Sequence, residues 1–151
     1  MKFFRLVNKV FVVSTAMVLI AQSVSAAIAY VPVRISIKFI LDKNGNRPLI
    51  GNLNTDVEIN ADVNAGNTIL GENISEFRLE FLELVDLAGV SQWYTADATG
   101  TNWDNLRTAA TNNPSTYRWR NDAVNIYITA GAKGGISNFP PNNRMILMNQ
   151  W

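Results

Sequence analysis

Acidic side chains are the first candidates for chemistry in this chain of 151 residues. Glu80 and Glu83 are the only close carboxylates in one apolar stretch, and paired carboxylates can act as a general acid and a general base. On a regular strand, however, residues three apart point to opposite faces. We therefore expect Glu80 and Glu83 to be solvated carboxylates at strand edges or ends that share no site.

Cysteine and histidine are both missing from the sequence. The lack of cysteine excludes a thiolate nucleophile and disulfide cross-links, so packing must hold the fold together. The lack of histidine leaves only carboxylates as side-chain ligands for a zinc ion, which needs three protein ligands in a catalytic site. No arrangement of the acidic residues along the chain resembles such a ligand set.

A weak calcium-loop pattern begins at Asp42 and continues through Asn44 and Asn46. The sixth position of this pattern is Arg47, where glycine is needed, and no glutamate occupies the twelfth position. Turn chemistry is the better interpretation, because Asn44 followed by Gly45 can take positive φ at little cost.

The aromatic and basic cluster Tyr117, Arg118, Trp119 and Arg120 is a further candidate for ligand binding. Aromatic and arginine side chains stack on sugars and bases. Four residues without other basic clusters nearby make a poor platform, so we expect Trp119 at the edge of the core and both arginines exposed.

The first 26 residues have the three parts of a secretory signal peptide. A basic start with Lys2, Arg5 and Lys9 precedes an apolar run at residues 10–21 and a small-residue exit that ends at Ala26. The apolar run is shorter than the ~20 residues of a bilayer-spanning helix. We expect cleavage near Ala26, a secreted (extracellular or periplasmic) product, and no stable membrane association.

Residues 27–151 carry ten basic and twelve acidic side chains, because three of the thirteen basic residues lie in the signal peptide. This balance, with no basic run between aromatic residues, excludes nucleic acid as a partner. A chain of this length forms one domain that buries roughly two-thirds of the surface its unfolded form exposes. The apolar content of 48% is compatible with that core.

Two stretches have the patterns of strands. Residues 31–41 alternate between apolar and polar side chains, which predicts a half-buried strand. Residues 74–87 place apolar side chains on both faces, with Phe77, Leu79 and Phe81 on one and Leu82 and Leu84 on the other. This second pattern favours a central strand that is covered on both sides.

Two helices are predicted around the second strand. Residues 53–70 alternate as a strand would, but Thr55 and Glu58 form a capping box ahead of an apolar stripe at helical spacing. Periodicity alone favours a strand there, so the residues leave both interpretations open. Residues 90–101 are predicted as a loop, and a short helix at 105–111, capped by Asn102 or Asp104, follows it.

Two segments, VDLAGVSQWY at residues 85–94 and DAVNIYITAGAKGGISNFPPNNRMILMNQW at residues 122–151, resemble secreted zinc metallopeptidases of the metzincin and pappalysin-like type. NIYITAG and GGISNFPP are the most specific parts of the second segment. The resemblance implies that this segment supplies a central strand at 124–129, a glycine-rich turn at 131–135, a rim strand at 136–139 and a return strand at 145–148.

The resemblance also implies an α/β (α+β) fold with a twisted mixed sheet of about five strands and two helices, like the upper N-terminal subdomain of these proteases. In that subdomain a helix follows the first strand, which decides the ambiguous residues 53–70 in favour of a helix. Residues 27–151 would then be an incomplete catalytic domain.

The rim strand is the predicted substrate-binding element. In the family that this chain resembles, it runs antiparallel to its neighbours over the active-site cleft and pairs with an extended substrate, as an exposed strand edge allows. Glycines let the chain turn tightly into this strand, and two prolines end it. An ordinary hairpin of a sandwich fits the same residues equally well. The predicted substrate-binding residues are Gly135, Ile136, Ser137, Asn138 and Phe139.

Zinc peptidases of this type hold the metal on a helix with the motif HExxH, whose glutamate is the general base. That motif is missing here, since the chain has no histidine. We therefore expect no catalytic and no metal-binding residue in these 151 residues, and no peptidase activity from them alone. Zinc and a peptide or protein substrate are expected only in a longer protein. The alternatives are an exported non-enzymatic binding or adhesion domain, or an inactive protease-like domain.

Overall fold

The computed structural model describes residues 29–49, 54–73, 76–132, 134–137 and 144–149. The predicted signal peptide and the predicted site residues Asn138 and Phe139 lie outside these ranges. The elements in chain order are β1 (Val31–Ile40), α1 (Asp56–Glu72), β2 (Phe77–Leu87), a 3₁₀ turn (Ser91–Trp93), α2 (Gly100–Asn112), β3 (Val124–Thr129), β4 (Gly135–Ser137) and β5 (Met145–Asn149).

The strands form one five-stranded mixed sheet in the order β2-β1-β3-β5-β4. The pairs β1–β2, β1–β3 and β3–β5 are parallel, and β4 runs antiparallel to β5. The predicted fold class, a mixed sheet of about five strands with two helices, is therefore confirmed. β2 and β4 are the two edge strands, so the prediction that residues 74–87 form a central strand is wrong.

Helix α1 confirms the helical interpretation of residues 53–70. The Glu58 N–H donates to Thr55 Oγ1 at 3.2 Å, and the Thr55 N–H donates to Glu58 Oε2 at 3.1 Å, which completes the capping box. This cap satisfies backbone donors that the first turn leaves unpaired. Ile59, the buried residue of α1, then packs against the sheet.

Helix α2 begins earlier than predicted, at Gly100 instead of residue 105. Its N-cap is Thr99, whose Oγ1 accepts the Asn102 N–H at 3.3 Å, so neither predicted cap is used. The Asn102 side chain is engaged elsewhere, donating to the Asp97 carbonyl at 2.9 Å. A Thr99 cap adds more than a turn to the helix and carries Trp103 onto the sheet, where it is 2% exposed.

A β-bulge interrupts the pairing of β2 with β1. Ile35 pairs with Phe81, whereas the next residue, Ser36, pairs with Glu83, so Leu82 is an extra residue without a partner in β1. A bulge shifts the side-chain alternation by one position. Phe81 and Leu84 therefore contact the same core cluster, and the prediction that Leu84 lies on the face opposite Phe81 is wrong.

The two helices cover opposite faces of the sheet, and each face has its own core. The α1 face is formed by apolar side chains that include Ile35, Ile37, Phe39 and Ile128. The α2 face combines apolar residues with buried polar ones. Its buried apolar residues are Ile40, Leu87, Val90, Trp103, Leu106, Ala110, Tyr117, Tyr127, Met145 and Leu147. Its buried polar residues are Ser36, Lys38, Asn125, Thr129 and Asn149.

Candidate functional site

Strand β4 lies at one edge of the sheet and, among the described residues, pairs with β5 alone. Gly135, Ile136 and Ser137 stand opposite Met148, Leu147 and Ile146, respectively. The antiparallel arrangement at the sheet margin agrees with the geometry predicted for the rim strand. The substrate-binding role of these residues stays a prediction.

The backbone of β4 offers hydrogen-bonding groups to solvent. The Asn149 N–H donates to the Gly134 carbonyl at 2.6 Å, which makes Gly134 part of a hydrogen-bonded pair with β5. Because such pairs alternate along an antiparallel ladder, Ile136 also turns its backbone groups toward β5. Gly135 and Ser137 consequently turn their N–H and C=O groups away from the sheet, and we call these four groups the open edge.

Only one side chain of β4 anchors the strand. Ile136 is partly buried and packs against the core on the α2 face, whereas Gly135 and Ser137 are exposed. A Cβ added at Gly135 would meet no heavy atom closer than 3.8 Å. The space in front of the open edge is therefore not limited by the side chains of β4.

The glycines before β4 have different physical roles. A Cβ at Gly131 would lie 2.4 Å from the Ala96 carbonyl oxygen, so only glycine fits without a shift of the backbone. Gly134 has φ of 56°, a conformation that side chains disfavour. At Gly135 neither a close contact nor a positive φ requires glycine. The predicted glycine-rich turn thus depends on Gly131 and Gly134.

A buried hydrogen-bond network fixes the loop before α2 to the ends of β3 and β5. The Thr129 hydroxyl and the Asn149 amide both donate to the Ala96 carbonyl, at 2.8 and 2.9 Å. Asn149 also accepts the Ala98 N–H at 2.6 Å. The loop is thereby held beside the turn that leads into β4. Sequence reasoning missed this network, although polar residues at the ends of apolar strands were a signal for it.

The opposite edge of the sheet is blocked by a side chain. From α1, the Asn67 amide donates to the Leu79 carbonyl at 3.0 Å and accepts the Leu79 N–H at 2.7 Å. Both backbone groups of this β2 residue are thus satisfied where a further strand would have to pair. Edge strands commonly carry such devices, which prevent unwanted pairing. The bulge at Leu82 in the same strand also opposes pairing of a further strand with β2.

An apolar groove of about 360 Å³ lies on the α1 face beside the helix. Apolar side chains from β1, β3 and β5, together with Ile59 and Val63 of α1, form almost all of its lining. Asp62 is the one charged residue at its margin. Among the described residues, α1 is the only helix on this face. The groove therefore exposes the kind of surface that proteins usually cover with another element or a partner.

The carboxylates predicted to be separate and solvated lie on the same face. Glu80 pairs with Arg34 and Glu83 with Ser36 across β1, because the bulge restores a common orientation. Glu80 is exposed, but the side chain of Glu83 is only 16% exposed. The prediction of opposite faces is therefore wrong, since it assumed a regular strand.

Glu83 belongs to a polar cluster with a buried lysine. Ser36 Oγ donates to Glu83 Oε1 at 2.6 Å, and Arg118 Nη2 donates to Glu83 Oε2 at 3.3 Å. Burial alone would raise the pKa of Glu83, but these hydrogen bonds and the charge of Lys38 outweigh it and lower the pKa. The carboxylate is therefore ionised at neutral pH, in an orientation fixed by two donors.

Lys38 is fully buried next to this carboxylate, and its Nζ donates to Asn125 Oδ1 at 2.6 Å. Burial lowers the pKa of Lys38 from 10.5 to about 7, partly offset by the charge of Glu83. The Nζ atom also lies 5.4 Å from the centre of the Tyr127 ring. The alternating pattern of β1 predicted a solvent-exposed polar face, which is wrong for Lys38 because Asn125, Tyr127 and the residues around Glu83 enclose it.

No metal site is formed by the residues that the structure describes, since they contain no group of three or more acidic side chains close enough to share an ion. At the weak calcium pattern, Asp42 Oδ1 accepts the N–H groups of Asn44 and Asn46, each at 2.8 Å. The turn interpretation of that loop is confirmed. The described residues thus offer no group of three ligands for a zinc ion.

The aromatic and basic cluster at residues 117–120 is arranged largely as predicted. Trp119 is partly buried against the core of the α2 face, and the side chains of Arg118 and Arg120 are 55% and 42% exposed. Tyr117 is buried and accepts the Trp93 indole N–H at 3.1 Å through its hydroxyl.

No family model, no curated protein sequence and no solved structure matches this chain. Within the described part, no helix has the length and apolar character needed to cross a membrane. The likeness to metzincin and pappalysin-like peptidases consequently remains a prediction made from the residues of the chain.

Proposed function

We propose that this chain is the substrate-binding, non-catalytic part of a secreted zinc metallopeptidase of the metzincin or pappalysin-like type. In this proposal an extended peptide adds to β4 as a further strand of the sheet. The chain contributes the sheet and the open edge, and another part of the protein contributes the metal ligands and the general base.

The asymmetry of the two sheet edges is the observation that carries the proposal. On β2, the Asn67 amide occupies both backbone groups of Leu79. On β4, Gly135 and Ser137 have small or absent side chains and outward-facing backbone groups. A peptide that pairs with a sheet edge obtains its affinity from such groups. The sheet is therefore suited to accept a guest strand on the β4 side.

The strength of such pairing limits what this chain can do alone. The open edge offers four backbone groups, and each hydrogen bond contributes about 1 kcal/mol net. Together they correspond to a dissociation constant of roughly 1 mM, before the cost of ordering the peptide. Tight and specific binding consequently requires further contacts from elsewhere in the protein.

The apolar groove on the α1 face supports the proposal that more of the protein packs here. Its lining is apolar and lies beside α1, so a second helix placed next to α1 would bury it. Val124 and Ile126 of β3 and Ile146 of β5 lie in this groove and are only partly buried. Covering them would extend the core without a change in the sheet.

An exported non-enzymatic binding domain is the second candidate, favoured by the lack of histidine and cysteine in the chain. The coding sequence downstream of residue 151 distinguishes the two. The peptidase proposal expects an in-frame HExxH segment there, about 10 to 40 codons further on, with a third ligand after it. An immediate in-frame stop codon would contradict it and favour a binding domain or an inactive protease-like domain.

Activity of the full-length protein tests the role of β4 itself. Ser137→Pro removes an outward N–H, whereas Ser137→Ala changes only the side chain and keeps that donor. We expect Ser137→Pro to lower kcat/KM about tenfold, the loss of one hydrogen bond made with the substrate, and Ser137→Ala to retain it. Equal values for the two variants would contradict substrate pairing at β4.

A further inference from the structure

A second candidate site lies on the α2 face, where the loop after α2 leads into β3. It is a cleft of about 270 Å³ that contains two arginines, a glutamate and a tryptophan. Its lining residues are Glu83, Pro114, Ser115, Arg118, Trp119 and Arg120. Neither the open edge nor the apolar groove includes any of these residues.

A neighbouring cleft of about 240 Å³ adds two more arginines, Arg34 and Arg144. The two clefts adjoin at one ion pair, because Arg120 of the first donates to both carboxylate oxygens of Asp122 in the second, at 3.0 and 3.1 Å. We call the two together the arginine cleft. It has two neighbouring compartments, with the ion pair of Arg120 and Asp122 between them.

The backbone of Arg118 is held in an unusual conformation. Its φ is 50°, and it is the only described residue other than glycine with a positive φ. Such a conformation costs free energy in a residue with a side chain and occurs most often at functional sites. In this conformation the Arg118 guanidinium contacts Glu83, which lines the same cleft.

Glu83 is a fixed acceptor in the cleft. Ser36 and Arg118 each donate to one of its oxygens, yet a carboxylate has about four acceptor positions. Glu83 can therefore accept a hydrogen bond from a ligand without losing the partners that orient it. A purely anionic ligand would be repelled by this carboxylate, so the cleft selects for a ligand that also carries donors.

The charge of the surroundings is positive overall. Four arginines (Arg34, Arg118, Arg120 and Arg144) face three acidic side chains (Glu80, Glu83 and Asp122) in and around the two compartments. Residues 27–151 as a whole carry an excess of acidic residues. Arg144 is exposed, and it forms no ion pair with any other described residue. The positive charge is therefore concentrated locally and is only partly neutralised.

We propose that the arginine cleft binds an acidic saccharide, a sugar ring that carries a carboxylate or sulfate group. Arginine forks match the geometry of a carboxylate or a sulfate, and within the described residues the fork of Arg144 is not occupied by an ion pair. Glu83 accepts hydrogen bonds from ring hydroxyls, and Trp119 offers an aromatic surface. This site is independent of the peptide-binding role proposed for β4.

Titration calorimetry of the purified chain tests this proposal with four probes: glucuronate, glucose 6-sulfate, glucose and inorganic sulfate. We expect at least one of the two acidic sugars to bind more tightly than both glucose and sulfate. The ranking of glucuronate and glucose 6-sulfate then identifies the acidic group. Glucose or sulfate binding as tightly as the tighter-binding of the two acidic sugars would overturn the proposal.

Variants of the cleft provide the second arm of the test. Arg118→Asn removes the guanidinium while keeping a residue that tolerates positive φ. Its affinity for the preferred acidic sugar is expected to fall about tenfold or more, the effect of one charge-assisted hydrogen bond. Arg78→Gln, on β2 and outside both compartments, is the matched control and should bind as the unchanged chain does. Full binding by Arg118→Asn, with an unaltered melting temperature, would overturn the proposal, as would no binding of either acidic sugar by the unchanged chain.

Discussion

The side-chain amide of Asn67 forms two hydrogen bonds with the backbone of Leu79, one to its carbonyl at 3.0 Å and one from its N–H at 2.7 Å. A residue of α1 thereby takes the place of a neighbouring strand on β2. Because no side chain of the described residues bonds to the corresponding groups on β4, the described part of the sheet has one closed and one open edge. The proposed peptide-binding role depends on this difference.

Replacing Asn67 should open the closed edge. Asn67→Ala leaves the N–H and carbonyl of Leu79 without their partner, which costs about 1 to 3 kcal/mol for a partly buried pair. It should also promote self-association through β2. Urea unfolding and analytical ultracentrifugation measure the two effects. Asn60→Ala, an exposed asparagine in the same helix, is the control and should change stability by less than about 0.5 kcal/mol.

The Asn67 prediction fails if both variants unfold at the same urea concentration and both stay monomeric. In that case the Asn67–Leu79 contact would contribute nothing to stability or to protection of the edge.

Lys38 should make the stability of the fold depend on pH. Its pKa is about 7 in the folded chain, against 10.5 for an ordinary lysine. Between these values the unfolded chain binds a proton that the folded chain does not, so stability should rise as pH increases from about 7 toward 10. Below pH 7 both states are protonated, and this contribution stays constant at its least favourable value.

Lys38→Met should remove this dependence and stabilise the fold at neutral pH. The thioether fills the buried space without a charge, and Asn125 Oδ1 retains the Arg120 N–H at 2.8 Å. The gain is on the order of a few kcal/mol, since one pKa unit corresponds to about 1.4 kcal/mol. Denaturant unfolding at pH 7 and pH 9 measures it, with Lys43→Met in the exposed turn as control. A Lys38→Met variant that is less stable at pH 7 would show that the lysine is needed for folding.

Gly131 and Gly135 form a matched pair for testing the turn into β4. Gly131→Ala places a Cβ 2.4 Å from the Ala96 carbonyl oxygen, so the loop or the turn has to move. We expect a loss of about 1 to 3 kcal/mol, as for other overpacked positions. Gly135→Ala meets no atom closer than 3.8 Å and should change stability by less than about 0.5 kcal/mol. Similar melting temperatures for the two variants would contradict the assigned close approach.

Zinc should have no effect on the isolated chain. The described residues contain no cluster of acidic side chains able to hold an ion, and the sequence supplies no histidine or cysteine. We expect an unchanged melting temperature in the presence of zinc or a chelator, and no cleavage of peptides. Zinc-dependent cleavage by the purified chain, abolished by a chelator, would contradict the division of roles proposed above.

Local sequence signals predicted several elements well. The capping box at Thr55 and Glu58 pointed to a helix where the alternating pattern pointed to a strand, and the cap is present in the structure. The cap joins residues only three apart, so it is readable from the sequence. The strand at 124–129 also has the bounds that the resemblance implied.

Features that depend on distant partners were not predictable in the same way. The bulge at Leu82 exists only in the pairing with β1, yet it decides that Glu80 and Glu83 share a face. The burial of Lys38 involves Asn125 and Tyr127 of β3, which lie more than eighty residues further along the chain. The Asn67–Leu79 contact joins a helix to a strand edge, and no local pattern marks it.

The arginine cleft illustrates the same limit. The sequence showed only Tyr117, Arg118, Trp119 and Arg120, which looked too few to form a platform. Folding adds Glu83 to the same cleft and brings Arg34 and Arg144 into the adjoining one. These additions come from three other strands or their flanking residues, so spacing along the chain could not reveal them.

Backbone amide NMR of the chain titrated with an extended peptide tests the central claim most directly. We predict that the amide resonances of Gly135 and Ser137 shift progressively with peptide concentration, with a dissociation constant weaker than roughly 1 mM, while that of Leu79 stays in place. Shifts at Leu79 without shifts at Gly135 and Ser137, or no shift at either edge, would contradict the account.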